Sequence, residues 1–164
     1  MLSRIYYKLA IYEYSLSNFY RKISKRDDEY SSYFYQLSVD EKKHSKMLFS
    51  LLSKRGYVIP NKYLVEEVII QGQEVKTNTE VSKRNVLFYL IFKGKYASSY
   101  STNELLSYVN KGERVAYVYY SVLLWVVRCL SYLTQDKSYE LDINILSTIR
   151  SEEKEHSNNE RLKS

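Results

Sequence analysis

The chain has two histidines, His44 and His156, and each has a glutamate three residues before it. The motifs are Glu41-Lys-Lys-His44 and Glu153-Lys-Glu-His156. With 14 Glu in 164 residues, both coincidences together would arise in roughly 0.7% of shuffled sequences. Positions i and i+3 share one face of a helix, so each pair can offer a carboxylate oxygen and an imidazole nitrogen to one ion. An isolated pair of this kind usually sits on a solvated helix surface. Here both pairs fall within apolar stripes. Glu41 and His44 interrupt Phe34, Leu37 and Leu48, while Glu153 and His156 follow Leu146 and Ile149. Glu13, between Leu9 and Leu16, and Glu113, between Val109 and Ala116, repeat the anomaly. Four buried carboxylates without cations are very costly. Two divalent ions would neutralise them, and two imidazoles complete an N/O set suited to iron or manganese. The expected metal ligands are therefore Glu13, Glu41, His44, Glu113, Glu153 and His156.

Four long helices must position these six side chains. Three-four spacing marks a first helix over about 2–25, with Leu2, Tyr6, Leu9, Leu16, Tyr20 and Ile23. A second is expected over about 28–55, capped by Asp27 or Asp28 and stopped at Gly56. The short connection predicts antiparallel neighbours. Ser101-x-x-Glu104 has the form of a capping box and opens a third helix over about 102–133. A fourth is expected over about 138–162, with Glu160 at its frayed end. The chain is thus expected to be all-α, a single four-helix-bundle domain over 1–164. A crossover over 57–100 would return along the bundle, carrying short helices near 61–71 and 80–93, or a strand at Val86–Phe92.

These motifs resemble the ferritin-like superfamily of dimetal-carboxylate proteins, and within it the rubrerythrin/erythrin branch. That branch joins Glu-x6-Tyr on helices one and three to Glu-x-x-His on helices two and four. Glu13 is followed by Tyr20 and Glu113 by Tyr120, and no other glutamate has a tyrosine seven residues on. The resemblance covers the four helices but not 57–100. It implies a ferritin-like antiparallel bundle holding two iron ions, with manganese or zinc as substitutes, and Tyr20 and Tyr120 beside the metals in catalytic roles. It also implies reaction with hydrogen peroxide or O2, as a peroxidase or ferroxidase in oxidative-stress or iron handling. Two departures bear on that reaction. The branch has a further carboxylate one turn after the third-helix glutamate, where this chain has Ala116. One cysteine cannot build an iron–sulfur domain, so a separate electron-donor protein is expected. The alternatives are an oxidase or oxygenase acting on an organic substrate, and a non-catalytic metal-binding structural or interaction protein. Glu13 and Glu113 are expected to bridge or cap the ions, each Glu-x-x-His pair anchoring one. Asp40 and Glu152, each just before a ligand glutamate, are candidate acceptors for the free imidazole N–H groups, or exposed charges.

Composition narrows the setting. The net charge is +6 with pI near 9.2, but the basic residues are scattered among polar ones, as on solvated helix faces, so nucleic acid is not an expected partner. The single Cys129 excludes an intramolecular disulfide and is expected to be a buried, inert thiol in a reducing, cytoplasmic interior. The N-terminus has no apolar signal core. The apolar run Val115–Val127 is short for a bilayer span, so no membrane partner is expected. A homodimer is compatible with these features.

Overall fold

The computed structural model describes residues 2–26, 29–59 and 101–158. Those residues form four helices and no strand: α1 (Leu2–Ile23), α2 (Ser31–Lys54), α3 (Thr102–Thr134) and α4 (Tyr139–Ser157). The all-helical bundle agrees with the periodicity. The elements expected within 60–100, the caps Asp27 and Asp28, and Glu160 lie outside the described residues.

Local chemistry sets the helix ends. Ser101 accepts from the Glu104 backbone N–H while the Glu104 carboxylate returns to the Ser101 N–H, closing the capping box. At the end of α2, Gly56 takes φ 79°, and the Gly56 and Tyr57 N–H groups bond back to Ser53 and Leu52 carbonyls. That paired return requires a left-handed residue, which glycine adopts without a Cβ clash. Gln135 fills the equivalent left-handed position after α3 (φ 56°). Tyr30 holds the N-cap position of α2 without a side-chain cap bond, and α1 ends at Ile23 and α2 begins at Ser31, each a few residues inside the expected bounds of about 25 and 28.

α1 packs chiefly on α2, and α3 on α4, with α2 also touching α4. Along the first pair, Tyr7 meets Phe49, Ser45 bonds the Ala10 carbonyl, Ser17 bonds the Ser38 carbonyl, and Tyr20 meets Phe34. Position along α1 rises as position along α2 falls.

The interior divides into two apolar clusters. One gathers Tyr6, Ala10, Leu48, Leu52, Tyr120, Leu124 and Leu146; the other Leu16, Tyr20, Phe34, Leu37, Leu105 and Val109. Each fully buried aliphatic or aromatic side chain contributes about 1.5–3 kcal/mol. The four expected ligands on α1, α2 and α3, Glu13, Glu41, His44 and Glu113, fall where one cluster gives way to the other. Ala116, where a further carboxylate was absent from the motif, packs its methyl into the first cluster.

Three expectations change. Arg55, counted with the solvated cations, bonds Asp142 and lies over the Tyr6 ring, because α4 places that buried carboxylate beside the end of α2. Cys129 is half-buried, because it lies on the outer side of α3, away from both clusters. The run Val115–Val127 belongs to a 33-residue helix that is long and apolar enough to cross a membrane by length and composition. It reads as short only when its flanking residues are left out.

Candidate metal centre

All six expected ligands are buried to within about 1% of full burial, and they meet in one cluster. Four helices each contribute from the same level: Glu13 from α1, Glu41 and His44 from α2, Glu113 from α3, and Glu153 and His156 from α4. Glu and His three apart on α2 and on α4 project from one face, so each pair enters the interior together.

The ligand atoms sort into two groups. Glu13, Glu41, His44 and Glu153 form one, and Glu41, Glu113, Glu153 and His156 the other. Within each, the nearest donor atoms lie within 4.8 Å of one another. Glu41 and Glu153 belong to both groups, whereas Glu13 and Glu113 belong to one each. The sharing therefore falls on the glutamates of the Glu-x-x-His motifs, whereas Glu13 and Glu113, expected to bridge or cap, each enter one group. The spacing motif alone does not distinguish these roles, since it fixes a residue's face but not its reach across the bundle.

His44 Nδ1 lies 3.0 Å from Glu41 Oε2 and 3.1 Å from Glu153 Oε1, so it faces the cluster. Its Nε2 lies 3.0 Å from Glu152 on α4. His156 repeats the pattern, with Nδ1 at 3.5 Å from Glu41 and 3.4 Å from Glu113, and Nε2 at 3.2 Å from Asp40 on α2. Asp40 and Glu152 thus act across the bundle, each holding the histidine of the opposite motif, and Lys43 bonds Glu152 at 2.5 Å.

The tyrosines cross in the same way. Tyr20 donates to Glu113, and Tyr120 donates to Glu13. Each stands seven residues after one glutamate and bonds the other. This exchange is not written in the one-helix spacing that brings Tyr20 and Tyr120 to notice. Tyr12 is a further residue of this neighbourhood that ligand spacing passes over. It is almost wholly buried, its hydroxyl has no hydrogen-bond partner, and it feels the charges of Glu13, Glu113, Glu153 and Glu41. Its signal in the sequence was only a place in the α1 stripe, shared with ordinary core aromatics.

The electrostatics are those of crowded carboxylates. Burial, then the charges of Glu41 and Glu153, raise the Glu13 carboxyl well above its ordinary value. Burial and the charges of Glu41 and Glu113 do the same to Glu153. Burial also opposes ionisation of Glu113, but the close approach and charge of His156 outweigh it and lower that carboxyl. For His156 burial disfavours the cation, yet the bond to Asp40 and the nearby Glu113 hold it up to about 11. His44 is raised in the same sense: the Glu41 charge, the bonds to Glu152 and Glu41 and the nearby Glu153 overcome its burial. Glu152 is lowered to about 2, chiefly by its bond to His44.

Protons alone leave this cluster incompletely satisfied. Glu13 Oε2, Glu41 Oε1, Glu113 Oε2, both Glu153 oxygens and His156 Nδ1 are buried without a well-formed hydrogen bond, although the imidazoles approach Glu153, Glu41 and Glu113 as ion pairs. Buried polar atoms in native proteins are normally paired, and these unpaired atoms belong to the two convergent groups. The donor set of carboxylate oxygens and imidazole nitrogens fits hard or borderline divalent ions. The described residues therefore form a helical bundle with a buried Glu/His cluster that could bind metal, an arrangement compatible with a ferritin-like fold. The chain matches no protein-family model, no curated protein and no solved structure.

Proposed function

We propose that the chain is a single-domain, ferritin-like dimetal protein that holds two iron ions and reacts with hydrogen peroxide or O2, as a peroxidase or ferroxidase. One observation carries this: the unpaired buried oxygens and His156 Nδ1 fall in two overlapping four-residue groups that share Glu41 and Glu153. The reversed pairing of α1 with α2, together with the Tyr20–Glu113 and Tyr120–Glu13 bonds, supports an antiparallel bundle whose chain crosses over between α2 and α3. Glu13 and His44 would serve one ion, and Glu113 and His156 the other, with Glu41 and Glu153 between them.

Bound ferrous iron would supply paired electrons to peroxide or O2. The chain's own residues do the rest. With metal displacing the Nδ1 protons, Asp40 and Glu152 would accept from the Nε2–H groups and hold the tautomer whose free Nδ1 faces the cluster. Tyr20 and Tyr120 hold the two unshared glutamates in place and keep phenolic protons close to the reacting centre. The apolar residues on either side exclude bulk water, which strengthens each of these interactions.

The six ligands are buried to within about 1%, which suits an oxidant as small as peroxide or O2. One cysteine cannot hold an iron–sulfur cluster in this bundle, so the electrons would come from outside it, in keeping with a reducing, cytoplasmic setting.

Anaerobic titration with ferrous iron tests the proposal, with two ions per chain as the expected stoichiometry. Binding well below two, or unchanged binding in Glu41→Ala and Glu153→Ala, would sink it. Mixing the loaded protein with peroxide and, separately, with O2 then ranks the two oxidants by rate.

A further inference from the structure

We propose that the outer face of α3 is a self-complementary interface through which two copies of the chain form a two-fold dimer. Opposite the buried stripe that carries Glu113, α3 presents Val115, Val118, Val122, Trp125, Cys129 and Tyr132. Their spacing alternates three and four, a 3.5-residue repeat, which is the periodicity of a seam between two helices. The seam positions themselves carry no charge, Arg128 flanks them beside Cys129, and Tyr119 and Leu133 widen the seam on one side. The seam extends about 26 Å along the helix axis. Trp125 is 66% exposed and Tyr132 77% exposed, and no described residue covers them.

The area decides between occupants. The exposed apolar side chains from Val115 to Leu133 uncover roughly 800–900 Å², more than the largest patch of a typical monomer and close to the ~800 Å² per partner of a standard interface. A two-fold pairing buries that patch against itself with no second surface required. A lipid environment fits less well. A lipid surface imposes no 3.5-residue register, and α3 spanning a bilayer would drag in α1 and α4, whose outer faces carry exposed Lys8, Lys154 and Glu155.

Trp125 is the only tryptophan in the chain and reports on this face directly. Sedimentation equilibrium of the full chain should give twice the 19.6 kDa chain mass, dissociating on dilution. Trp125 emission should move to longer wavelength over the same concentration range. Val122→Glu, a change at an exposed position, should weaken association at least 100-fold while far-UV circular dichroism stays the same. A dimer that survives Val122→Glu would place the interface elsewhere. Emission that reports a shielded Trp125 at every concentration would mean the same chain covers the face. A shift seen only with phosphatidylcholine–phosphatidylglycerol vesicles would mean lipid does. A monomer with exposed Trp125 throughout would mean that nothing does. Each of these four results overturns the proposal.

Discussion

Tyr20 on α1 donates its phenolic hydrogen to Glu113 on α3, ninety-three residues away in the chain. Tyr120 returns the same bond to Glu13. A hydrogen bond to a charged partner contributes about 1.5–3 kcal/mol, and its loss leaves a buried oxygen unpaired. Tyr20→Phe should therefore destabilise the metal-free protein by about 2 kcal/mol in urea denaturation, since it strips a donor from the carboxyl that is held ionised. Tyr12→Phe is the control. Its hydroxyl is buried without a partner, so removing it should be neutral or stabilising.

The two unshared and two shared glutamates should respond differently to truncation. Glu13→Ala removes a member of one ligand group, and the expected outcome is one tight ion and one weak one. Glu41→Ala removes a member of both groups, and neither ion should bind tightly. Ferrous titration monitored by calorimetry separates a biphasic isotherm from a flat one. Equal loss in both variants would count against the division into two overlapping groups.

Asp40→Ala and Glu152→Ala leave the six ligands intact but remove the acceptors that orient His156 and His44. Loss of such partners typically costs 10–100-fold in metal affinity. Competition against a chelator of known affinity should show that drop, with two ions still bound at saturation. Stoichiometry that fell to zero would mean these carboxylates hold the fold rather than the histidines.

Stability should depend on pH with opposite sign in the two forms. His156 is held up to about 11 in the metal-free protein, and His44 shifts in the same direction. Stability from these cations is fully present below the ordinary histidine value near 6.5 and is lost as pH rises toward 11. Glu13 and Glu153, raised by burial and by neighbouring carboxylates, keep protons in the folded state and act in the same sense. The urea midpoint of the metal-free protein should accordingly be higher at pH 6 than at pH 9. Metal must displace those protons, so ferrous binding should release protons into the buffer and weaken as pH falls.

At the other end of the bundle, Arg55 and Tyr6 both bond the buried Asp142. Arg55→Met leaves that carboxylate without its cation and should cost about 3 kcal/mol, while iron stoichiometry stays at two. Adding Asp142→Leu should recover most of the loss, as replacing both members of a buried pair often does. Thermal denaturation of the two variants provides the comparison.

Much of this was legible in the sequence because a glutamate inside an apolar helical stripe is costly enough to need a reason. That one fact located Glu13, Glu41, Glu113 and Glu153, and the capping box at Ser101 placed the start of α3 to the residue. What the sequence withheld concerns partners on other helices. Periodicity assigns a face, but it cannot say that Asp40 meets His156 or that Tyr20 meets Glu113, because those bonds depend on how faces are apposed. Arg55 looked like any solvated cation for the same reason: its buried partner lies eighty-seven residues on. Cys129 was misplaced because the run around it is apolar on both sides of α3, and hydrophobicity alone does not say which side turns inward.

The four bonds that reach a ligand from outside the ligand set all pass between the α1–α2 pair and the α3–α4 pair: Tyr20 to Glu113, Tyr120 to Glu13, His156 to Asp40, His44 to Glu152. Each half thus contains three members of one ligand group and borrows the fourth, along with its bracing, from the other. Neither half can be half-loaded in its final geometry by itself. As a metal centre it would work as a clasp, so that joining the halves and completing the ligand shell would be one event, and an ion that bound tightly would also lock the bundle shut.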